Sequence, residues 1–144
     1  MTLYELSHTY YYFDGKITSS VRLLGYFSKK DLATHAISEY LKAPGYCDAP
    51  LAFTIQQRKI TGTSKQKKVY LAVIYAHDRE YESFEHVIEI GLFFNKDDAM
   101  VEITKFRKEN ERFYKTDSIE IEEIVDTYEI DKKYCEEGFV VLPD

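Results

Sequence analysis

A copy of the chain displaced by 66 positions, without gaps, falls back onto itself at a series of matched residues. Tyr4 meets Tyr70, Val21 meets Val87, Gly25 meets Gly91 and Phe27 meets Phe93. Lys30-Asp31 meets Lys96-Asp97, Ala33 meets Ala99, Ile37 meets Ile103 and Lys42 meets Lys108. Conservative pairs lie between them: Leu3 with Val69, Leu24 with Ile90, Tyr40 with Phe106, Phe53 with Ile119 and Ile55 with Ile121. A match of this kind over a strand–turn–helix stretch points to a repeated supersecondary unit, whose apolar face needs a neighbour to cover it. The repeat constrains the architecture and leaves the chemistry open.

Local patterns define the unit. Leu3–Tyr12 is Tyr-rich with imperfect alternation, which predicts a strand. Asp14-Gly15 is a hairpin signal, and Val21–Phe27 is the returning strand. Ser28 is the expected helix cap, with Asp31 near the positive end of the helix dipole. Leu32, Ala33, Ala36, Ile37, Tyr40 and Leu41 form one apolar stripe at helical spacing, and Pro44-Gly45 ends the helix. Phe53 and Ile55 open a third strand that runs to about Ile60. In the second copy Val69–Ala76 is apolar on both faces, as a central or doubly covered strand would be. Val87–Phe94 is its partner, Asn95 caps the second helix, and Ala99, Met100, Ile103 and Phe106 are its stripe. Ile119 and Ile121 begin the last strand of the unit, with a bulge expected near Glu122-Glu123-Ile124. Gly138–Leu142 reads as a final short strand.

The expected fold is α+β: tandem duplicated β-β-α-β units forming antiparallel sheets, with two helices packed on one face. Residues 1–62 make the first unit, 67–128 the second and 129–144 a C-terminal extension, all within a single compact domain. The 144 residues are enough for a sizeable core without metal or disulfide. Cys47 and Cys135 stand in no metal-type spacing and are expected as free thiols, a disulfide between them being the alternative. No apolar run reaches membrane-spanning length, and the first residues lack a signal-peptide pattern, so a cytoplasmic location is expected.

The net charge of −6 is unevenly shared: residues 1–66 carry +3 and residues 67–144 carry −9. This balance argues against general affinity for nucleic acid or anionic membrane. Arg58, Lys59, Lys65, Lys67 and Lys68 form a local basic cluster around the joint between copies. With the Tyr10-Tyr11-Tyr12 run and nearby Lys16 and Arg22, it supports single-strand nucleic-acid binding only as a weak alternative.

The first copy resembles an uncharacterised bacterial family of small domains. The resemblance rests on Leu6-Ser7-His8, Gly25-Tyr26-Phe27-Ser28, Pro44-Gly45-Tyr46 and Phe53-Thr54-Ile55, and covers about residues 3–60. The second copy keeps Gly91 and Phe93 but has Ala72-Val73-Ile74 and Asn110-Glu111-Arg112 where two signatures would stand. The resemblance implies a fold and is silent on chemistry.

His8 is the residue most suggestive of acid–base work. Its counterpart in the second copy is Ile74, and strand alternation sends Ser7 and His8 to opposite faces, so they are no nucleophile–base pair. A hydrogen-bonded His in an aromatic layer is the expectation. His77-Asp78 and His86, with Glu80, Glu82 and Glu85, have no ligand spacing typical of a metal site, and no metal or cofactor is expected. No phosphate-binding glycine pattern exists, and Cys47 has no identifiable base. His35 is expected to be exposed. The outer face of the second copy's first strand, Val69, Leu71, Val73 and Tyr75, is apolar where the first copy has Glu5, Ser7 and Thr9. It is the expected interface, covered by the C-terminal strand, a second subunit or a partner.

The leading functional expectation is a non-enzymatic protein-interaction module, regulatory or immunity-type, acting through an aromatic and acidic surface on a protein partner or a homodimer. The alternative is a small-ligand-binding domain or unrecognised enzyme, with a pocket between the repeats lined by His8, Tyr10, Tyr12 and Tyr46.

Overall fold

A computed structural model describes residues 1–13, 17–80 and 85–141. The chain forms β1 (Thr2–Phe13), β2 (Ile17–Phe27), α1 (Lys30–Tyr40), β3 (Phe53–Lys59), β4 (Lys68–Asp78), β5 (Glu85–Phe93), α2 (Lys96–Glu109), α3 (Glu111–Tyr114) and β6 (Ile119–Glu129). The chain divides into two compact units. One comprises residues 1–59 together with everything from Glu129 onward; the other is Ile60–Tyr128. The C-terminal extension therefore belongs to the first unit.

In the first unit a three-stranded antiparallel sheet has the order β2-β1-β3. Its hairpin residues Asp14, Gly15 and Lys16 lie outside the described residues. Helix α1 lays Ala33, Ala36 and Tyr40 against Leu6, Leu24 and Phe27, and Tyr46 completes this core. Leu32, counted into the stripe from its spacing, is 42% exposed, because the buried arc is narrower than the apolar one. The helix starts one residue later than the sequence suggests. Lys29 occupies the cap position and provides no side-chain bond. Ser28 is engaged elsewhere: its N–H and its hydroxyl both donate to the Asp131 carboxylate, at 2.7 and 2.8 Å.

The second unit has the strand order β5-β4-β6, with β4 central as its two-sided apolarity requires. Helix α2 lays Ala99 and Ile103 against Ala72 and Ile74. Asn95 caps it, its side-chain oxygen accepting the Asp98 N–H at 2.7 Å. Met100 is 43% exposed and stands outside the buried stripe. The short α3 has no signature in the hydrophobic pattern. β6 is assigned as one strand through Glu122-Glu123-Ile124.

The two hairpins share an irregularity. Leu6 pairs with Gly25 but Ser7 with Leu23, leaving Leu24 as the extra residue of a bulge. Ala72 pairs with Gly91 but Val73 with Glu89, leaving Ile90 extra. Both bulges, both cap positions (Lys29 and Asn95) and both strand orders recur at the same 66-residue offset. Among the described residues no helix is long and apolar enough to cross a membrane.

Gly138–Leu142 is not the expected strand. Residues 139–141 have no regular secondary structure, and Leu142 lies outside the described residues. Gly138 takes φ +80, off the strand path, so no strand runs through it.

Candidate functional site

The most highly built cluster in the first unit surrounds His8. β1 carries His8 on the face that holds Leu6, and both are fully buried. The loop after α1 brings Tyr46, and the start of β3 brings Phe53 across from His8 in the sheet register. The ring centroids lie 5.0 Å (Tyr46) and 4.7 Å (Phe53) from the imidazole, both edge-on. Phe139 closes the group at 5.8 Å from His8 and 5.3 Å from both Tyr10 and Tyr46. Tyr12 joins through Tyr10, at 4.9 Å. The guanidinium of Arg22 stacks 3.7 Å from the centre of the Phe139 ring, a cation–π contact.

His8 Nε2 lies 3.0 Å from the carbonyl oxygen of Ala49. A carbonyl only accepts, so the proton is assigned to Nε2, and Nδ1 is left with no hydrogen-bond partner. Burial lowers the His8 pKa from the ordinary imidazole value; the bond to Ala49 opposes this and the charge of Arg22 reinforces it. The imidazole is thus neutral at pH 7 and lodged among aromatic rings. It occupies the slot that Ile74, also fully buried, fills in the second unit. This is the environment of a core residue. Among the described residues, no nucleophile or carboxylate is hydrogen-bonded to it.

The hydroxyls of this region hold the C-terminal segment. Tyr46 donates to the Cys135 carbonyl at 2.8 Å, and burial pushes its pKa up to about 12. The Tyr40 hydroxyl sits 3.0 Å from the Leu24 carbonyl oxygen and 2.7 Å from that of Tyr134, its single proton shared between them. Burial raises its pKa as well. Lys133 pairs with Glu39, and Phe139 N–H donates to the Pro44 carbonyl at 3.0 Å. Two glycines permit the closest approach. A Cβ on Gly45 would stand 2.5 Å from the Phe139 ring, and one on Gly138 would overlap the Pro44 carbonyl oxygen. Their φ values, +85 and +80, also lie where glycine is favoured.

His8, Tyr10 and Tyr46 are therefore brought together, with Tyr12 at the margin. Sequence reasoning set Arg22 beside the Tyr10-Tyr11-Tyr12 run but missed Phe139 as a member of the group. Gly138-Phe139 beside a charged stretch was the available signal, but it reads equally well as a strand.

In the second unit, Val69 and Val73 are buried within the single chain, while Leu71 and Tyr75 are half-buried. The exposed apolar position of that strand pair is Val87, which is 56% exposed and faces Tyr75 in the register. Ala76 pairs with His86 and His77 with Glu85, so the two imidazoles start from opposite faces of the sheet. Glu82 lies outside the described residues. No group of three or more His, Cys, Asp or Glu among the described residues could hold a metal ion. Glu123 accepts a two-point bond from Arg107 (2.5 and 3.0 Å) and a third from Tyr114 (3.0 Å). The Arg107 bonds hold the Glu123 carboxyl below its usual range. Cys47 and Cys135 are both free and exposed. His35 is exposed, and Arg58 is paired with Glu5 at 2.7 Å, which removes one member from the basic cluster.

No family model, curated protein or solved structure matches the chain.

Proposed function

We propose that the protein is a non-enzymatic protein-interaction module of the cytoplasm, built by duplication of a β-β-α-β unit with each helix covering one face of its own sheet. The recurrence of bulge, cap position and strand order at one offset supports the duplication. The resemblance of residues 3–60 to a bacterial small-domain family belongs to the same proposal. One observation carries the interaction reading. The first unit already holds an irregular segment through main-chain bonds, a bound carboxylate and a seated aromatic ring, the means by which peptide-recognition domains hold their ligands.

The same observation weighs against the small-ligand alternative. The aromatic cluster of His8, Tyr10 and Tyr46 is filled by Phe139. Affinity capture with the purified chain, followed by titration of the captured protein, is expected to give a saturable complex of fixed stoichiometry. A chain that stays monomeric, captures nothing and melts at a higher temperature with a metabolite or nucleotide would instead be a ligand-binding domain.

A further inference from the structure

We propose that the outer edge of β2 and the seat of Phe139 form one peptide-docking site, closed in this chain by its own residues 129–141. The site fits a turned peptide with a carboxylate at its start and an aromatic ring eight residues later, left-handed at the positions of Asp131, Cys135 and Gly138. This rests on reading the protein as an interaction module and names the surface and the ligand class.

The site is built from the first part of the chain. β2 is an edge strand, and edge strands offer unpaired main-chain groups to an incoming segment. Here Ile130 forms a parallel bridge with Tyr26, Asp131 N–H donates to the Tyr26 carbonyl at 2.8 Å, and Tyr134 N–H donates to the Leu24 carbonyl at 2.8 Å. The segment thus bonds the β2 edge at Tyr26 and Leu24 without forming a strand; as in edge recognition generally, main-chain bonds give affinity and side-chain anchors give selectivity. The approach is close: a Cβ on Gly25 would come within 2.6 Å of the Lys132 carbonyl oxygen.

Two anchors bracket the strand contact. At the start, the N–H and hydroxyl of Ser28 grip both oxygens of the Asp131 carboxylate. At the end, Phe139 lies between Tyr46 and Tyr10 with Arg22 over its face. Residues 131–141 contain no helix or strand of their own, so attachment depends on these contacts together with the bonds to Tyr40, Tyr46, Glu39 and Pro44.

A tethered segment acts at an effective concentration in the millimolar range, so it blocks the site against weak ligands and yields to tighter ones. Any partner presenting the same chemistry competes with the segment. At the matching place in the second unit, among the described residues, no such segment lies against β5: a Cβ on Gly91 would meet only the Phe93 side chain within 4 Å.

The test uses the full chain with both anchors weakened, Asp131→Ala with Phe139→Ala, and a fluorescent synthetic peptide of residues 129–141. Saturable binding is expected. A peptide carrying Phe139→Ala should bind about tenfold more weakly or worse, the loss typical of one aromatic anchor. The unaltered chain should bind the intact peptide less well than the double variant does. A folded double variant that binds neither peptide, or both alike, overturns the proposal.

Should that variant not fold, a protease site inserted between Tyr128 and Glu129 of the otherwise unaltered chain replaces it. After cleavage the labelled peptide should exchange into the site, and a segment that resists exchange overturns the proposal. Concentration-dependent dimers of the uncleaved chain that vanish with Phe139→Ala would make the occupant a second copy, also overturning the assignment to a partner peptide. Capture of a partner elsewhere, with both peptide assays negative, would remove this site and leave the interaction reading standing.

Discussion

Replacing Gly138 by alanine should dislodge the C-terminal segment, and the cost can be worked from the contacts around it. Two effects combine. Alanine at a left-handed φ costs about 1–2 kcal/mol in the folded state. Its reduced freedom in the unfolded chain returns roughly 0.4–1 kcal/mol. Gly62 measures this backbone effect alone, because it has φ +90 and a Cβ there would meet nothing within 4 Å. At Gly138 the added Cβ also collides with the Pro44 carbonyl, so the segment must lift. Lifting breaks the hydrogen bond from Phe139 N–H to Pro44, about 1 kcal/mol. It also exposes a half-buried ring whose burial contributes roughly 1–1.5 kcal/mol. Gly138→Ala should therefore destabilise by about 2 kcal/mol more than Gly62→Ala, measured by urea unfolding. The diagnostic measurement is a double-mutant cycle. Phe139→Ala alone should cost about 1–2 kcal/mol, but in the Gly138→Ala background less than about 0.5 kcal/mol, since the ring has already left. Additive effects, or equal costs at 62 and 138, would refute the seating of Phe139 by the glycine.

Four further outcomes are expected. His8→Ile, which installs the residue of the matched slot, should flatten the acid side of the stability profile. His8 has a lowered folded pKa, so the unfolded state binds more protons and stability falls as pH drops below the unfolded value of about 6.5. Urea midpoints compared between wild type and variant across that window would show no difference in slope if the reading is wrong. Tyr46→Phe should cost about 1 kcal/mol by removing the bond to Cys135, and should abolish a phenol titrating near pH 12 in an ultraviolet titration. Asn95→Ala should cost about 1 kcal/mol, while Lys29→Asn, at a cap position with extended backbone, should gain a few tenths to 1 kcal/mol in thermal unfolding. Glu123→Gln should remove an acid-side stabilisation. The lowered carboxyl stabilises the fold above the unfolded pKa and loses that effect as pH falls through the folded one, so an unchanged acid profile would contradict this.

The regular elements were legible because they are written in local periods. Alternation located β1, the apolar run located β4, and Asn95 followed by Asp98 marked the start of α2. Ser28 misled because its chemistry suits a cap, whereas the partner that claims it, Asp131, lies 103 residues away. The same distance hid the completed site. His8, Tyr10 and Tyr46 could be grouped by strand face and loop position, and Arg22 stood near the Tyr run, but nothing periodic ties them to Phe139. The bland reading of His8 was recoverable because Ile74 stands in its matched slot. Ring packing between remote segments leaves no spacing to read.

The first unit is discontinuous, and this sets a timetable for its synthesis. Everything that builds the seat has been synthesised by about residue 59, yet the segment that fills it is translated only after the second unit. At ~5–20 residues per second, the intervening stretch takes roughly 3–14 s to make. Throughout that interval the nascent chain presents Tyr46, Tyr10 and the β2 edge without Phe139 or Asp131. A ribosome that stalls or a message that ends early would release a protein permanently in that state. Quality control therefore meets, in every product truncated between residues 59 and 129, the same uncovered edge.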